Sequence, residues 1–368
     1  MLLKNYKNIV IKIGSSTIVN ETNYKIKDKW LHSICKDIFE LTKMNKKISI
    51  VSSGAIALGK KIIAQKKPIK RLEDKQAAAA VGQIELAKYW QEYLKKYKIK
   101  TAQILLTLND SEERRRYLNA RKTLNSLHNN NVVPIINEND TVATEEIRFG
   151  DNDRLAARVA QMIGADLLIM LSDIDGLYTS NPRFNKKAHK INKIKSINAN
   201  IEKMAGSSIS KYGSGGMETK IWASKICLNS GCSSVISNGK NLNPLKKITE
   251  TNSTWFISST SPNMQRKKWL LNHLHPSGSA TIDDGAVNAL LNNKSLLPAG
   301  VIEISGRFSR GDIITVNNKK NKKIAIGITA YSSIDAKKII GMRSKEINMI
   351  LGHETRDELI HKDDLVNI

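Results

Sequence analysis

Four short clusters of small, hydroxyl, amide and charged residues stand along the chain, each close behind an apolar run, and their make-up suits the handling of anions and ammonium groups. The first is Lys12-Ile13-Gly14-Ser15-Ser16. Its small residues let backbone N–H groups approach an anion, and the lysine adds a point charge; the competing explanation is a surface lysine beside a turn. The second, Ser52-Ser53-Gly54-Ala55-Ile56, runs on through Gly59-Lys60-Lys61 and matches a phosphate-binding P-loop up to its last position. Lys61 stands where a Ser or Thr hydroxyl would hold magnesium, so a P-loop is rejected. What remains is a Ser-Gly turn at a helix start, either a carboxylate cradle or an ordinary serine cap. The third joins Asn137-Glu138-Asn139-Asp140 to Gly150-Asp151-Asn152-Asp153. Helix N-caps explain one or two of these residues, whereas so dense a set suits an ammonium group or a cation escorting phosphate. The fourth pairs Ser172-Asp173-Ile174-Asp175-Gly176 with Gly213-Ser214-Gly215-Gly216-Met217-Glu218-Thr219-Lys220. Its glycines open a helix, a ready phosphate site, and set Lys220 about one turn inside it; a merely flexible loop is the alternative. It is not GxGxxG followed by a ribose-binding acid, so a dinucleotide fold is unsupported.

The elements that must carry these clusters alternate. Apolar, β-rich runs at Asn8–Ile13, Ile48–Val51, Thr101–Leu106, Val132–Ile136 and Leu167–Leu171 are separated by helical patterns at Lys27–Met44, Glu73–Tyr97, Leu118–His128 and Asn152–Gly164. Such alternation predicts an α/β fold, a largely parallel sheet in an αβα sandwich with helices on both faces. Ligands of such sheets bind beyond the carboxyl ends of the strands, where the polar clusters fall. The texture changes near Ser261. Pro262, Pro276 and Gly278 punctuate a stretch holding Arg266-Lys267-Lys268-Trp269, and short β-like runs follow at Val301–Ile304, Asp312–Val316 and Lys323–Thr329. The expected organisation is an α/β domain over 1–260, a linker over 261–277, a small β-barrel-like domain over 278–356 and a tail over 357–368.

Composition narrows the function classes. The 368 residues are 40 % hydrophobic and 25 % charged, enough to bury a core. No apolar run approaches the ~18–20 residues of a membrane span, and Met1-Leu2-Leu3-Lys4-Asn5 is no signal peptide, so a cytoplasmic protein is expected. Cys35, Cys227 and Cys232 make no disulfide framework and no CxxC pair, and the seven histidines show no ligand spacing, so no metal site is expected. The formal charge of +25 raises a nucleic-acid hypothesis, yet Lys outnumbers Arg 45 to 14 alongside 34 Asn. Nucleic-acid readers lean on the planar fork of Arg; a Lys/Asn-rich chain reads instead as a lysine-studded surface, aided by anionic substrates. Residues 278–368 hold 13 Lys and Arg against 11 Asp and Glu, a net of only +2.

Taken together, Ser52–Ile56, Val133–Asp140, Gly150–Asp153 and Gly215–Lys220 resemble the amino acid kinase family, over Asn8 to about Gly352. The Asn137–Asp140 and Gly150–Asp153 stretches are similar to its glutamate-phosphorylating branch rather than to its acetylglutamate, carbamate or uridylate kinases. Gly306-Arg307-Phe308-Ser309-Arg310-Gly311-Asp312 looks like part of a PUA domain. Ser172 and Ser214 stand where the family often has Thr, and keep the hydroxyl. The resemblance implies ATP-dependent phosphorylation of the L-glutamate γ-carboxylate, first step of proline biosynthesis, with ATP and Mg2+ as cofactors. Ser53, Asn137, Asp140, Asp151 and Asn152 would hold glutamate. Lys12, Ser172, Asp173 and the run Ser214, Gly215, Gly216, Met217, Glu218, Thr219 and Lys220 would hold ATP. Lys12 and Lys220 would flank the migrating phosphoryl, with Asp153 orienting both. Such transfer needs positioning and charge neutralisation, and a carboxylate of pKa ~4.3 needs no general base. The resemblance further implies proline as feedback inhibitor, a homo-oligomer and contact with the next enzyme of the pathway. The alternatives are another amino-acid or carboxylate kinase and an RNA-binding PUA protein.

Overall fold

The alternating pattern folds, in the computed structural model, into two units, Met1–Pro262 and Asn263–Ile368. The structure describes residues 2–63, 71–143, 152–182, 184–206, 216–262, 264–265, 276–352 and 356–368. Most of the expected linker over 261–277 lies outside the described residues.

In the first unit the elements follow one another as β1 (Asn8–Ile13), α1 (Ser15–Ile18), α2 (Asp28–Lys43), β2 (Lys47–Ser52), α3 (Ala55–Ile62), α4 (Leu72–Lys95) and β3 (Lys100–Leu106). Then come α5 (Leu108–Glu112), α6 (Arg114–Asn129), β4 (Val132–Glu138), α7 (Asn152–Ile163), β5 (Leu167–Ser172), β6 (Lys193–Ile194), α8 (Ala199–Met204), α9 (Met217–Asn229), β7 (Ser233–Asn238) and β8 (Ser253–Phe256). The described strands form an eight-stranded sheet in the order β3-β4-β2-β1-β5-β7-β8-β6, parallel except where β8 runs against β7. Because side chains alternate across a strand, β1 sends Ile9, Ile11 and Ile13 into a core beneath α2 and α4. Val10 goes to the opposite core, beneath α7 and α9. Lys12 shares the parity of Val10, and that one fact of register sets which helices it meets.

β1 and β5 lie side by side but send the chain to opposite edges of the sheet, toward β2 and toward β7. A crevice therefore opens beyond their carboxyl ends, the usual ligand position in such sheets. Helices α3 and α4 cross at van der Waals contact of their backbones. A Cβ on Gly59 would stand 1.7 Å from the Ala78 carbonyl oxygen, and one on Gly82 would stand 1.8 Å from that of Ala55.

The second unit has β9 (Gly278–Ile282), α10 (Asp284–Leu291), β10 (Val301–Gly306), β11 (Ile313–Asn318), β12 (Lys323–Ile328), α11 (Ser333–Lys338), α12 (Ser344–Leu351) and β13 (Leu365–Asn367). Its five described strands pair as β10-β9-β11-β12-β13 around a separate core that includes Ile282, Phe308, Ile314, Val316 and Ile360. The stretch 357–368, expected to be a tail, instead closes one edge of this sheet. Leu365 and Val366 are buried in a strand antiparallel to β12, because that edge would otherwise leave apolar surface and a row of backbone groups in water.

Candidate active site

Lys12 leaves the end of β1 on the α7/α9 side of the sheet. Asp153 in the first turn of α7 and Lys220 in the first turn of α9 meet it there. Lys12 Nζ lies 2.7 Å from Asp153 Oδ1, and Lys220 Nζ lies 2.8 Å from Oδ2. Their exposures are 5 %, 0 % and 2 % for Lys12, Asp153 and Lys220. Burial alone would raise the carboxyl pKa, but the two ammonium groups overcome it and hold Asp153 below the usual carboxylate range. Thr219 Oγ1 lies 3.1 Å from the same Oδ2 and 2.8 Å from the Gly216 carbonyl oxygen, tying the start of α9 to the triad. Two ammonium groups converge at the floor of the crevice, a fit for phosphate.

A second network stands at the ends of β2 and β4. Gly54, at φ +120°, takes a backbone conformation that side chains disfavour and turns the chain from β2 into α3. The Ser53 N–H donates to the Ile13 carbonyl at 3.0 Å, which pins this turn beside β1. The Asn152 amide nitrogen donates to Ser53 Oγ at 2.7 Å and to Asn137 Oδ1 at 2.9 Å. Asn137 in turn donates to Gln83 Oε1 at 2.8 Å.

The triad and the network face one cleft of about 690 Å³, lined among others by Lys12, Ser53, Asn137, Asp140, Asn152, Ser172, Asp173 and Lys220. That volume suits a small ligand. Asp153 lies behind the lysines rather than on the wall. Ser172 Oγ donates to Asp173 Oδ1 at 3.1 Å. Gly216, Met217 and Thr219 are not on the cleft wall, and Glu218 lines a different groove between α8 and α9, beside Trp222. Asp151, Ser214 and Gly215 lie outside the described residues. Inspection of the sequence overlooks Thr17 and Gln83, and gives Glu138 no role. Thr17 and Glu138 line the cleft, while buried Gln83 orients the Asn137 amide. The signal for Gln83 was available: it is a polar residue within the buried Ala79–Leu86–Trp90 stripe of α4. Thr17 has no such mark.

The profile of the amino acid kinase family matches residues 7–238, and that of the PUA domain matches residues 278–351. The chain belongs to the amino acid kinase family. Three relatives that align with nearly the whole chain are each named glutamate 5-kinase. The protein of Pelagibacter ubique is 53 % identical, with 100 % of both chains covered. That of Paramagnetospirillum magneticum is 49 % identical over 98 % of this chain and 97 % of its own, and that of Agrobacterium fabrum 51 % over 99 % and 94 %. Among solved structures, a carbamate kinase from Giardia lamblia bound to AMP-PNP shares the fold at a TM-score of 0.50 and 15 % identity, covering 70 % of this chain and 100 % of its own. The reading as an RNA-binding PUA protein is not favoured, since the kinase match covers residues 7–238 and relatives alike over nearly the whole chain are glutamate 5-kinases. No described helix is long and apolar enough to cross a membrane.

Proposed function

We infer that this chain transfers the terminal phosphoryl group of ATP to the γ-carboxylate of L-glutamate, forming glutamyl 5-phosphate and ADP at the entry to proline biosynthesis. The observation that carries the chemistry is the Lys12–Asp153–Lys220 triad at the floor of the cleft; the end-to-end likeness to glutamate 5-kinases supplies the substrate. A carboxylate oxygen forms a bond to the terminal phosphorus as the bond from that phosphorus to the bridging oxygen breaks, and ADP leaves with the electron pair. No proton moves, because the γ-carboxylate is already ionised near neutral pH. The two ammonium groups offset charge on the equatorial oxygens, the main demand of phosphoryl transfer. Asp153 aims both lysines and touches no reacting atom.

At the other wall, both hydrogens of the Asn152 amide are committed to Ser53 and Asn137. Its Oδ1 is then the group to accept from the glutamate ammonium, with Asp140 adding charge. The Ser53 hydroxyl, already accepting from Asn152, turns its own hydrogen to a carboxylate. Asp151, Ser172, Asp173 and the run Ser214–Lys220 complete the glutamate and ATP sites in this reading.

Magnesium belongs to the same reading. Among the described residues no three or more His, Cys, Asp or Glu side chains gather as a metal cage, and both Asp153 oxygens face lysines. Such a donor set fits Mg2+ carried mainly on ATP phosphates, where it neutralises their charge. Proline shares the α-carboxylate and a cationic nitrogen with glutamate, and would compete for the same polar stretch, Asn137–Asp153. The product is a reactive acyl anhydride, which favours hand-over to the next enzyme from a cytoplasmic homo-oligomer.

The test is ADP release with glutamate, aspartate, N-acetylglutamate and carbamate in turn, with hydroxylamine present to trap an acyl phosphate. Glutamate-specific hydroxamate formation is expected, with proline raising the glutamate KM. Turnover on another acceptor but not on glutamate overturns the reading.

A further inference from the structure

Thr17 sits in the short α1 turn behind the Lys12 strand, is 1 % exposed, and lines the cleft. Its hydroxyl is buried and has no hydrogen-bond partner among the described residues. Buried hydroxyls are normally satisfied, and leaving one bare is costly. Its orientation is not accidental. The Thr17 methyl is packed toward Gly239, where a Cβ would come within 3.0 Å of Cγ2 and 2.9 Å of Leu171 Cβ. Gly239 is itself held from outside, because the Trp30 indole N–H donates to its carbonyl at 2.6 Å. With the methyl clamped there, the hydroxyl is left on the side of Gly14.

Gly14 supplies the second observation. The point where its Cβ would lie is 3.7 Å from Thr17 Oγ1 and 3.9 Å from Lys12 Nζ, with the Leu171 carbonyl oxygen also at 3.9 Å. A notch bounded by a bare hydroxyl and a buried ammonium is thus kept open by the missing side chain. A group that satisfies both must accept hydrogen bonds and carry negative charge, which describes a phosphoryl oxygen.

We propose that the Thr17 hydroxyl is a third donor, beside Lys12 and Lys220, to the terminal phosphoryl group of the bound nucleoside triphosphate. The proposal rests on the kinase reading of this cleft. The donor meets the terminal phosphate rather than the inner ones, because it shares its notch with Lys12, which flanks the group in transit. In the ligand-free chain the hydroxyl carries the cost of being buried unpaired, and the nucleotide relieves it.

Full-length wild type, Thr17→Val and Thr17→Ser are compared by calorimetric binding of the β,γ-imido analogue of ATP and of ADP, and by glutamate-dependent ADP release. Valine keeps the branched shape and deletes the hydroxyl. Thr17→Val should bind the imido analogue about tenfold more weakly while ADP affinity moves less than threefold, the scale of one hydrogen bond to a charged group. Its kcat should fall about tenfold or more with the glutamate KM little changed, and the melting temperature without ligand should not fall. Thr17→Ser, which keeps the hydroxyl but loses the methyl that aims it, should fall between wild type and Thr17→Val in analogue affinity and kcat. Should Thr17→Val fail to fold, Thr17→Ala measured against Thr17→Ser reads the same difference. Analogue affinity and kcat within twofold of wild type in Thr17→Val would mean the hydroxyl meets only water, and would overturn the proposal. Equal weakening of ADP and analogue would overturn it too, by moving the contact off the terminal phosphate. A wild type that binds the analogue yet ignores glutamate counts against the kinase assignment alone, since the binding comparison needs no acceptor.

Discussion

Asp153 holds two buried ammonium groups at once, so the three members of the triad should respond differently to substitution. Lys220→Ala removes one donor to transferring charge, and kcat should fall by about 10²-fold or more while the glutamate KM moves less; steady-state kinetics measures both. A near-normal kcat would make Lys220 a structural partner of Asp153 only. Asp153→Asn keeps the shape but leaves two desolvated cations without their anion. Breaking a buried pair from one side costs about 3–5 kcal/mol, so this variant should lose stability in urea as well as activity. The sequence surroundings of Lys12 and Lys220 mark both as candidates, but it is the geometry that joins them to one carboxylate.

Among the secondary elements, close approach and capping do most of the specifying. Gly59 and Gly82 let α3 and α4 touch, and the turn that carries Ser53 leads directly into α3. Gly82→Ala forces a methyl to within 1.8 Å of the Ala55 carbonyl oxygen. The helices must part, so a loss of about 3 kcal/mol or more is expected in chemical denaturation, with a raised glutamate KM in whatever folds. On the other side of the network, His128 of α6 is buried 3.0 Å from Ser49 Oγ on β2. Burial first, and the nearby Lys47 second, push its pKa from 6.5 down to about 4. The folded state therefore prefers the neutral ring. Stability should be full above about pH 6.5, then fall as the unfolded chain takes up a proton first, by up to about 3 kcal/mol as pH approaches 4. His128→Gln should flatten that part of the pH–stability curve. The asparagine-rich composition also has an element-scale use. Asn45, Asn131 and Asn293 follow the ends of α2, α6 and α10 at φ near +56°, the left-handed position usually given to glycine.

For the molecule as a whole, each unit has its own core, and the residues of the cleft all lie in Met1–Pro262. A chain ending near Ser261 should still release ADP in response to glutamate; thermal unfolding and turnover on the truncated protein check this, and a folded but inactive product would place part of catalysis in the second unit. Much of the larger unit was legible beforehand. Short, mostly apolar runs between helical patterns imply a parallel sheet, and polar clusters behind those runs imply a site at its carboxyl edge. β7 and β8 were not legible, because β7 is half serine. Its Ser234 is buried and hydrogen-bonded to Ser224 of α9 at 2.9 Å. β13 was missed because three residues are too few to show a period. The sequence by itself determined the element types and the chemical character of each cluster, since both rest on interactions within a few residues of chain. Only the tertiary structure decided that Lys12, Asp153 and Lys220 meet on one face, that Gln83 orients Asn137, and that the Thr17 hydroxyl is turned into the notch at Gly14. Those outcomes depend on strand parity and on helix packing between residues such as Asp153 and Lys220, 67 positions apart, and no local pattern encodes packing at that separation.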